Sequence, residues 1–149
     1  MCNAIAAYGL RRIAQGNRGA MGLFITETAV VEAVFADDVS LDDIRDWLAH
    51  IERLIARRQP FYFISSTQAD ASLAEGYRAI QGVWYKRHKV DFQACCRGLV
   101  RIAGDAEERE RLDTPALHAA WGVPYFVTLE REQGFQWIAE RMVSDASEQ

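Results

Sequence analysis

The stretch LDDIRDWLAHIERLIARRQPFYFISST, residues 41–67, decides the fold. Its apolar residues recur at helical spacing from Leu41 to Ile55, which predicts an amphipathic helix. Ser40 and Asp43 stand three positions apart before this helix, the spacing of a capping box. Pro60 then opens the apolar run 61–64, which predicts a buried strand. The two elements together predict a helix packed on a sheet.

The rest of the chain continues this alternation. Residues 23–35 predict two short strands of a hairpin, or one strand with a break near Ala29. Further segments predict a helix over 73–96, a strand over 99–103 after a break at Gly98, two short helices over 106–121 joined near Asp113, a strand over 123–127 and a final helix around 135–142. The order β, β, α, β, α, β, α, β, α predicts an α/β fold with a mostly parallel sheet and helices packed against it.

The chain has 149 residues, enough for a single domain with one hydrophobic core. Residues 1–20 do not match the compact pattern that follows, and we expect a docking arm, a tail or an extension upstream of a start at Met21. The domain is predicted over 21–143, and the polar residues 144–149 are predicted to fray as a tail.

Composition favours a reducing cytoplasm. Apolar runs such as 123–127 fall far short of the roughly 18 residues of a membrane-spanning helix, so we predict none. Cysteines are odd in number, and the adjacent pair Cys95 and Cys96 is poorly placed for a disulfide or a metal knuckle. We expect both to be small buried residues at a helix end rather than a redox centre.

Charge is unevenly distributed along a chain whose net charge is −4. Residues 78–101 hold six basic side chains and one acid, which indicates either a surface for an acidic partner or a solvated helix face. Aromatic side chains are not interleaved over a wider basic surface, so nucleic-acid binding is not predicted. The candidate partner-binding residues are Trp84, Tyr85, Lys86, Arg87 and Lys89. Within this group we expect Trp84 to pack and Tyr85 to be exposed.

Hydroxyl side chains follow the buried strand at 61–64. We interpret Ser65, Ser66, Thr67 and Ser72 as part of a polar loop at the carboxyl end of that strand, where open α/β sheets place ligands and switches. A phosphate on one of these hydroxyls near a helix start would be stabilised by free amides. The alternative is that the residues only cap and turn the chain.

Catalytic and metal-binding patterns are absent from the sequence. His50, His88 and His118 lie far apart without a second ligand at metal-binding spacing. Cys95 or Cys96 can be paired on paper with a histidine, but the chain has no nucleophile elbow and no glycine-rich phosphate loop. We therefore predict no catalytic residue, no metal and no cofactor.

Several segments carry a family resemblance. They are the opening hairpin, the helix with the strand at 60–64, the strand at 98–102, and the ending at 124–128 followed by 133–138. This pattern resembles the STAS and SpoIIAA-like domains, whose sheet resembles the lipid-binding SEC14-type fold. The resemblance implies a non-enzymatic cytoplasmic regulatory module that binds another protein, with a homodimer as a further expectation. The alternative is a SEC14-like carrier of a lipid or other small apolar ligand.

One departure affects the regulatory interpretation. Kinase-regulated STAS domains have an aspartate-serine step after the central strand, whereas residues 64–70 read ISSTQAD here.

The function classes differ in the kind of site that each requires. A carrier needs an apolar cavity of several hundred cubic ångströms and an enzyme needs converging titratable groups in a cleft, whereas an interaction module needs neither.

Overall fold

A computed structural model describes residues 9–12 and 22–147. The strands are β1 (Gly9–Arg12), β2 (Phe24–Glu27), β3 (Ala29–Phe35), β4 (Asp38–Val39), β5 (Phe61–Thr67), β6 (Ser72–Leu73), β7 (Cys96–Ile102) and β8 (Tyr125–Thr128). The helices are α1 (Leu41–Ala56), α2 (Tyr77–Cys95), α3 (Ala106–Leu112), α4 (Pro115–Trp121) and α5 (Arg131–Ser147).

The central sheet has four parallel strands in the order β3-β5-β7-β8. The predicted α/β class with a mostly parallel sheet is therefore confirmed. Each strand of this sheet lies beside the strand of the sheet that comes next along the chain. Because the connections between parallel strands are right-handed, the helices between these strands all lie on one face of the sheet. On that face, side chains of α1 to α4 pack against Phe61, Phe63 and Leu99. On the other face, α5 packs against Tyr62, Ile64 and Val100.

The hairpin predicted within residues 23–35 is wrong. β2 pairs antiparallel with β1, whereas β3 pairs parallel with β5, and only Thr28 separates the two strands. The alternative, one strand broken near Ala29, agrees with this arrangement. β1 belongs to the predicted arm or tail and pairs with the rest of the chain. The remainder of that segment, with Cys2 and Met21, lies outside the described residues.

The stretch around α1 follows its sequence pattern closely. The Ser40 hydroxyl accepts from the Asp43 amide at 3.1 Å, and the Asp43 carboxylate accepts from the Ser40 amide at 2.9 Å, so the capping box is confirmed. The next strand is longer than predicted. β5 continues through Ser65 and Ser66 to Thr67, which pair with β3 and partly with β7. The prediction that these three residues form a loop is wrong, because β3 extends far enough to pair with all three and β7 extends far enough to pair with Ser65 and Ser66.

Some other helix and strand boundaries differ from those that the sequence predicts. The predicted helix over 73–96 begins only at Tyr77, since Ser72 and Leu73 pair with β4 as β6. The two short helices over 106–121 are confirmed, and Gly122 ends the second with a φ of 67°. Gly98 does not break the chain but lies buried within β7.

The last helix extends beyond its predicted end. α5 continues to Ser147, so residues 144–147 of the predicted polar tail are helical. Asp145 explains this length, because its carboxylate accepts a hydrogen bond from the buried Tyr62 hydroxyl and lies 3.7 Å from the Arg141 guanidinium. Within the described ranges, the structure contains no helix of the length and hydropathy that a bilayer crossing requires.

Candidate functional site

A cavity of about 450 Å³ lies between the helices and the sheet on the face covered by α1 to α4. It is at the carboxyl ends of β5 and β7, with α1 and α2 on one side and α3 and α4 on the other. Ligands of open parallel sheets are found at this end of the strands. The position and size of the cavity make it the candidate functional site.

Alternate residues of the two central strands form the floor. Phe63 and Ser65 of β5 and Leu99 and Arg101 of β7 line the cavity, and Ser65 stands directly beside Arg101 in the register. Residues two apart on a strand point to the same face. Arg101 is therefore a charged residue on the helix-covered face of a central strand, beside the buried Leu99.

The walls are mostly aromatic. Trp47 of α1 contacts Phe35 with ring centroids 5.2 Å apart, and Tyr85 of α2 contacts Trp121 of α4 at 5.1 Å. Tyr77 at the start of α2 completes the aromatic lining. Rings of this kind present large apolar surfaces of fixed shape to a bound molecule.

Polar contacts fix α2 against α4. The Tyr85 hydroxyl donates to the Trp121 backbone carbonyl at 2.9 Å, and the Gln93 side-chain amide donates to the same carbonyl at 3.0 Å. Burial raises the pKa of Tyr85, so its hydroxyl stays protonated and able to donate. The prediction that Tyr85 is exposed is wrong, because this side chain forms part of the cavity wall.

Behind the main cavity lies a smaller aromatic recess of about 70 Å³. Both spaces share Trp47, Phe63, Tyr85 and Trp121 as lining residues. The indole N–H of Trp47 is buried and has no hydrogen-bond acceptor among the described residues, whereas that of Trp121 lies near the Tyr125 hydroxyl. A buried donor without an acceptor costs about 1–3 kcal/mol.

Three charged side chains line the cavity. Arg78 lies at its exposed rim, with its guanidinium 5.4 Å from the Tyr77 ring centroid. Glu108 accepts a hydrogen bond from the Gly104 amide at 2.7 Å, which fixes its carboxylate at the end of β7. Within the described part of the chain, neither Arg78 nor Arg101 forms an ion pair. The cavity is consequently rich in hydrogen-bond donors and has a positive balance.

The charge of Arg101 acts on the pKa of Tyr125 of β8. Burial raises the pKa of Tyr125, and the Arg101 charge acts in the opposite direction. The Tyr125 hydroxyl donates to the Leu112 carbonyl at 2.8 Å, which ties α3 to the sheet beside the cavity. The positive charge of Arg101 therefore lies within interaction range of groups on the helix-covered face.

The hydroxyl residues predicted as a loop are distributed along the strand ends. Ser65 is buried in the cavity floor, Ser66 is half-buried, and Thr67 is exposed at the rim. Ser72 is exposed on β6. The structure thus brings Ser65, Ser66 and Thr67 to the cavity, while phosphorylation of any of the four stays a prediction.

The predicted partner-binding group is split by the structure. Trp84 packs against the core, as expected, and its indole N–H donates to the Glu52 carboxylate at 3.1 Å. Lys86, Arg87 and Lys89 are exposed on the outside of α2. This outer basic face is separate from the cavity.

Histidines and cysteines do not converge. His88 lies 3.6 Å from Glu52 and His118 lies 2.7 Å from Asp113, on different helices. Both cysteines of the pair are buried at the junction of α2 and β7, as expected from the sequence. Burial raises the pKa of Cys95 and raises that of Cys96 to about 12, which disfavours the reactive thiolate.

Metal-binding geometry is likewise not found in residues 9–12 and 22–147, where no three potential ligands come together.

The chain was also compared with known proteins. No protein-family model, curated protein or solved structure matches it.

The sequence pointed to four residues of this cavity but not to its charged groups or its tryptophans; the four are Ser65, Ser66, Thr67 and Tyr85. In the sequence Arg101 belongs to the basic segment 78–101, although Leu99 and Arg101 have the two-residue spacing of one strand face. That alternation was the available signal for an inward-facing charge. Glu108, Trp47 and Trp121 gave no comparable signal, because their proximity depends on how three separate helices lie on the sheet.

Proposed function

We propose that this protein is a non-enzymatic binding module that holds one small, mostly apolar molecule between its helices and its sheet. The cavity of about 450 Å³ is the observation that carries the proposal. Small-molecule sites have volumes of roughly 300–1,000 Å³ and are lined by apolar and aromatic side chains with a few polar groups. This is the carrier function that the sequence offered as the alternative.

The character of the lining favours binding over bond-making. The titratable side chains at the cavity are two arginines, one glutamate and two tyrosines, whereas the histidines form contacts elsewhere. Groups poised for proton transfer near neutral pH are normally histidines, thiolates or perturbed carboxylates. A donor-rich aromatic cavity is better suited to holding a molecule than to transforming it.

A neutral fluorescent probe, N-phenyl-1-naphthylamine, tests this proposal. Its emission should rise on saturable binding of one probe per chain. Gly82 lies at the exposed edge of the cavity, and a Cβ built there meets nothing within 4 Å. We therefore expect Gly82→Trp to fill the space and abolish the signal, while Gly82→Ala retains it. Non-saturable binding, or an equal signal from Gly82→Trp, would contradict the proposal.

A protein-interaction module is the second candidate, supported by the outer basic face. Beside Lys86, Arg87 and Lys89, the apolar residues Val83 and Val90 are 62% and 80% exposed. A groove of about 410 Å³ between α1 and α2 adjoins this surface. Exposed apolar side chains bordered by one sign of charge fit a partner with an acidic surface.

Charge reversal distinguishes this second candidate. Proteins captured from the native host by the tagged chain should be lost when Lys86, Arg87 and Lys89 are changed to Glu. They should be retained when three other exposed arginines, Arg53, Arg109 and Arg111, are changed in the same way. Equal retention by both triple variants would exclude the outer basic face as the docking surface. STAS or SpoIIAA-like membership, a homodimer and a cytoplasmic location remain parts of the proposal.

A further inference from the structure

The polar groups of the cavity restrict the chemistry of its occupant. Arg101 lies on the helix-covered face of central strand β7, half-buried, beside the buried Ser65. A charged group in this setting is normally balanced by an opposite charge. The carboxylate of Glu108 also lines the cavity, but it accepts from the Gly104 amide and lies beyond ion-pair distance of Arg101.

Arg78 contributes a second guanidinium at the rim of the cavity. A guanidinium has no acceptor atoms, whereas the hydroxyls and the Gln81 amide that line the cavity can either donate or accept. A carboxylate complements this set, because its two oxygens accept several hydrogen bonds and can bind one guanidinium in a bidentate manner.

The apolar walls restrict the rest of the ligand. The recess behind the main cavity is bordered by the rings of Trp47, Phe63, Tyr85 and Trp121. Planar faces of this kind favour offset or edge contacts with another ring system. A rigid ring also loses little conformational freedom on binding, unlike a long alkyl chain.

From these observations we propose that the cavity binds a small aromatic carboxylate. The acid group lies against Arg101 and Ser65 on the floor, with Arg78 at the rim, and the ring system extends toward the recess between Trp47 and Trp121. This inference rests on the proposed function, because it names the class of molecule that the cavity holds. Arg101 is assigned as the residue that selects the anion.

Two probes of the same shape test the assignment by isothermal titration calorimetry. Naphthoate carries the carboxylate, and naphthalenemethanol replaces it with a neutral hydroxymethyl group. We expect naphthoate to bind roughly 10- to 100-fold more tightly, the range for hydrogen bonds to a charged group. Palmitate tests the ring requirement and should bind more weakly than naphthoate.

The variant Arg101→Met should remove the preference for naphthoate while leaving the affinity for naphthalenemethanol unchanged. Arg97→Met is the matched control, because Arg97 is exposed on the same strand and its charge acts on Tyr62, which faces α5. The control should retain the preference for naphthoate. Arg101→Lys should keep part of this preference, since a point charge remains without the bidentate geometry.

The outcomes separate the two proposals. Equal affinity for both naphthyl probes would overturn the carboxylate assignment and leave the binding function standing. Tighter binding of palmitate would overturn the aromatic assignment. Failure of both naphthyl probes and of the neutral fluorescent probe would overturn the proposed function itself. If Arg101→Met fails to fold, Arg101→Gln takes its place. This variant should also lose the preference for naphthoate over naphthalenemethanol, and a retained preference would overturn the assignment of Arg101.

Discussion

On one face of the sheet α5 approaches the strands closely, whereas on the other face the helices leave a cavity. A Cβ added to Gly134 of α5 would lie 2.8 Å from Ile64 Cδ1 and 3.0 Å from Val100 Cγ1. A Cβ added to Gly82 of α2, which is exposed at the edge of the cavity, would meet nothing within 4 Å. Dense packing stabilises a fold, while space and unpaired polar groups are found where molecules bind.

The polar groups differ less between the two faces than the packing does. On the α5 face, the Tyr62 hydroxyl has the Asp145 carboxylate as its acceptor, but the buried Nε of Arg141 has none among the described residues. On the cavity face, the buried indole N–H of Trp47 likewise has no acceptor in the parts of the chain that the structure describes. The two faces therefore differ in how closely the helices approach the sheet and not in whether they hold an unpaired donor.

The largest expected effect comes from placing the same side chain on both faces. Gly134→Leu should lower the free energy of unfolding by about 3 kcal/mol, because the new side chain meets the fully buried Ile64 and Val100. Gly82→Leu should raise it by about 0.5–1 kcal/mol, since leucine is a better helix former than glycine and the site is open. Urea denaturation monitored by circular dichroism measures both changes.

Gly82→Ala measures the gain in helix propensity at the open site, whereas Gly134→Ala should already lower the free energy of unfolding, because its Cβ would lie 2.8 Å from Ile64 Cδ1. A comparable loss from both leucine variants would mean that α2 is as closely packed as α5. That result would contradict the difference between the faces.

The sequence predicts those features that depend on residues close together along the chain. α1 was predicted with its cap, because apolar spacing and the Ser40 and Asp43 capping box are local signals. The burial of Cys95 and Cys96 was predicted from their residue type and position at a helix end. Local chemistry determined these features, so no knowledge of distant neighbours was needed.

The two faces themselves were not predictable from local patterns. The sequence predicts a break at Gly98, yet its lack of a side chain allows Trp137 of α5 to approach, with 3.0 Å between the ring and an added Cβ. Arg78, Arg97 and Arg101 belong to one basic segment of sequence but reach different surfaces in the fold. Their separation follows from the alternation of β7 and from the positions of α2 and α5, which only the assembled sheet reveals.

The next largest effect concerns the hydrogen bond on the α5 face. Tyr62→Phe should lower the free energy of unfolding by about 1–2 kcal/mol near neutral pH, because it removes a buried bond to a carboxylate. Tyr85→Phe, on the cavity face, should cost about 1 kcal/mol or less, since its main acceptor is a neutral carbonyl. Thermal and urea denaturation of both variants measure the difference.

Alkaline pH sharpens this test. Burial and the Asp145 carboxylate raise the pKa of Tyr62 above its ordinary value, so the folded protein holds this proton more tightly than the unfolded chain. The resulting stabilisation is fully present below about pH 10 and is lost as the pH rises further. The wild type should therefore lose stability more steeply than Tyr62→Phe above that pH. Parallel curves for the two proteins would contradict the assigned role of Tyr62.

The smallest effect is expected outside both packed faces, on the outer basic face of α2. Changing Lys86, Arg87 and Lys89 to Glu should alter the free energy of unfolding by no more than about 0.5 kcal/mol, because all three side chains are exposed. The affinity for naphthoate should also stay unchanged, since this surface is separate from the cavity and exposed charges are screened by salt. Denaturation and calorimetry at physiological ionic strength measure both quantities. A weaker naphthoate affinity in this variant, with Arg78 and Arg101 intact, would mean that the positive field of the whole helix, rather than the two cavity arginines, attracts the anion.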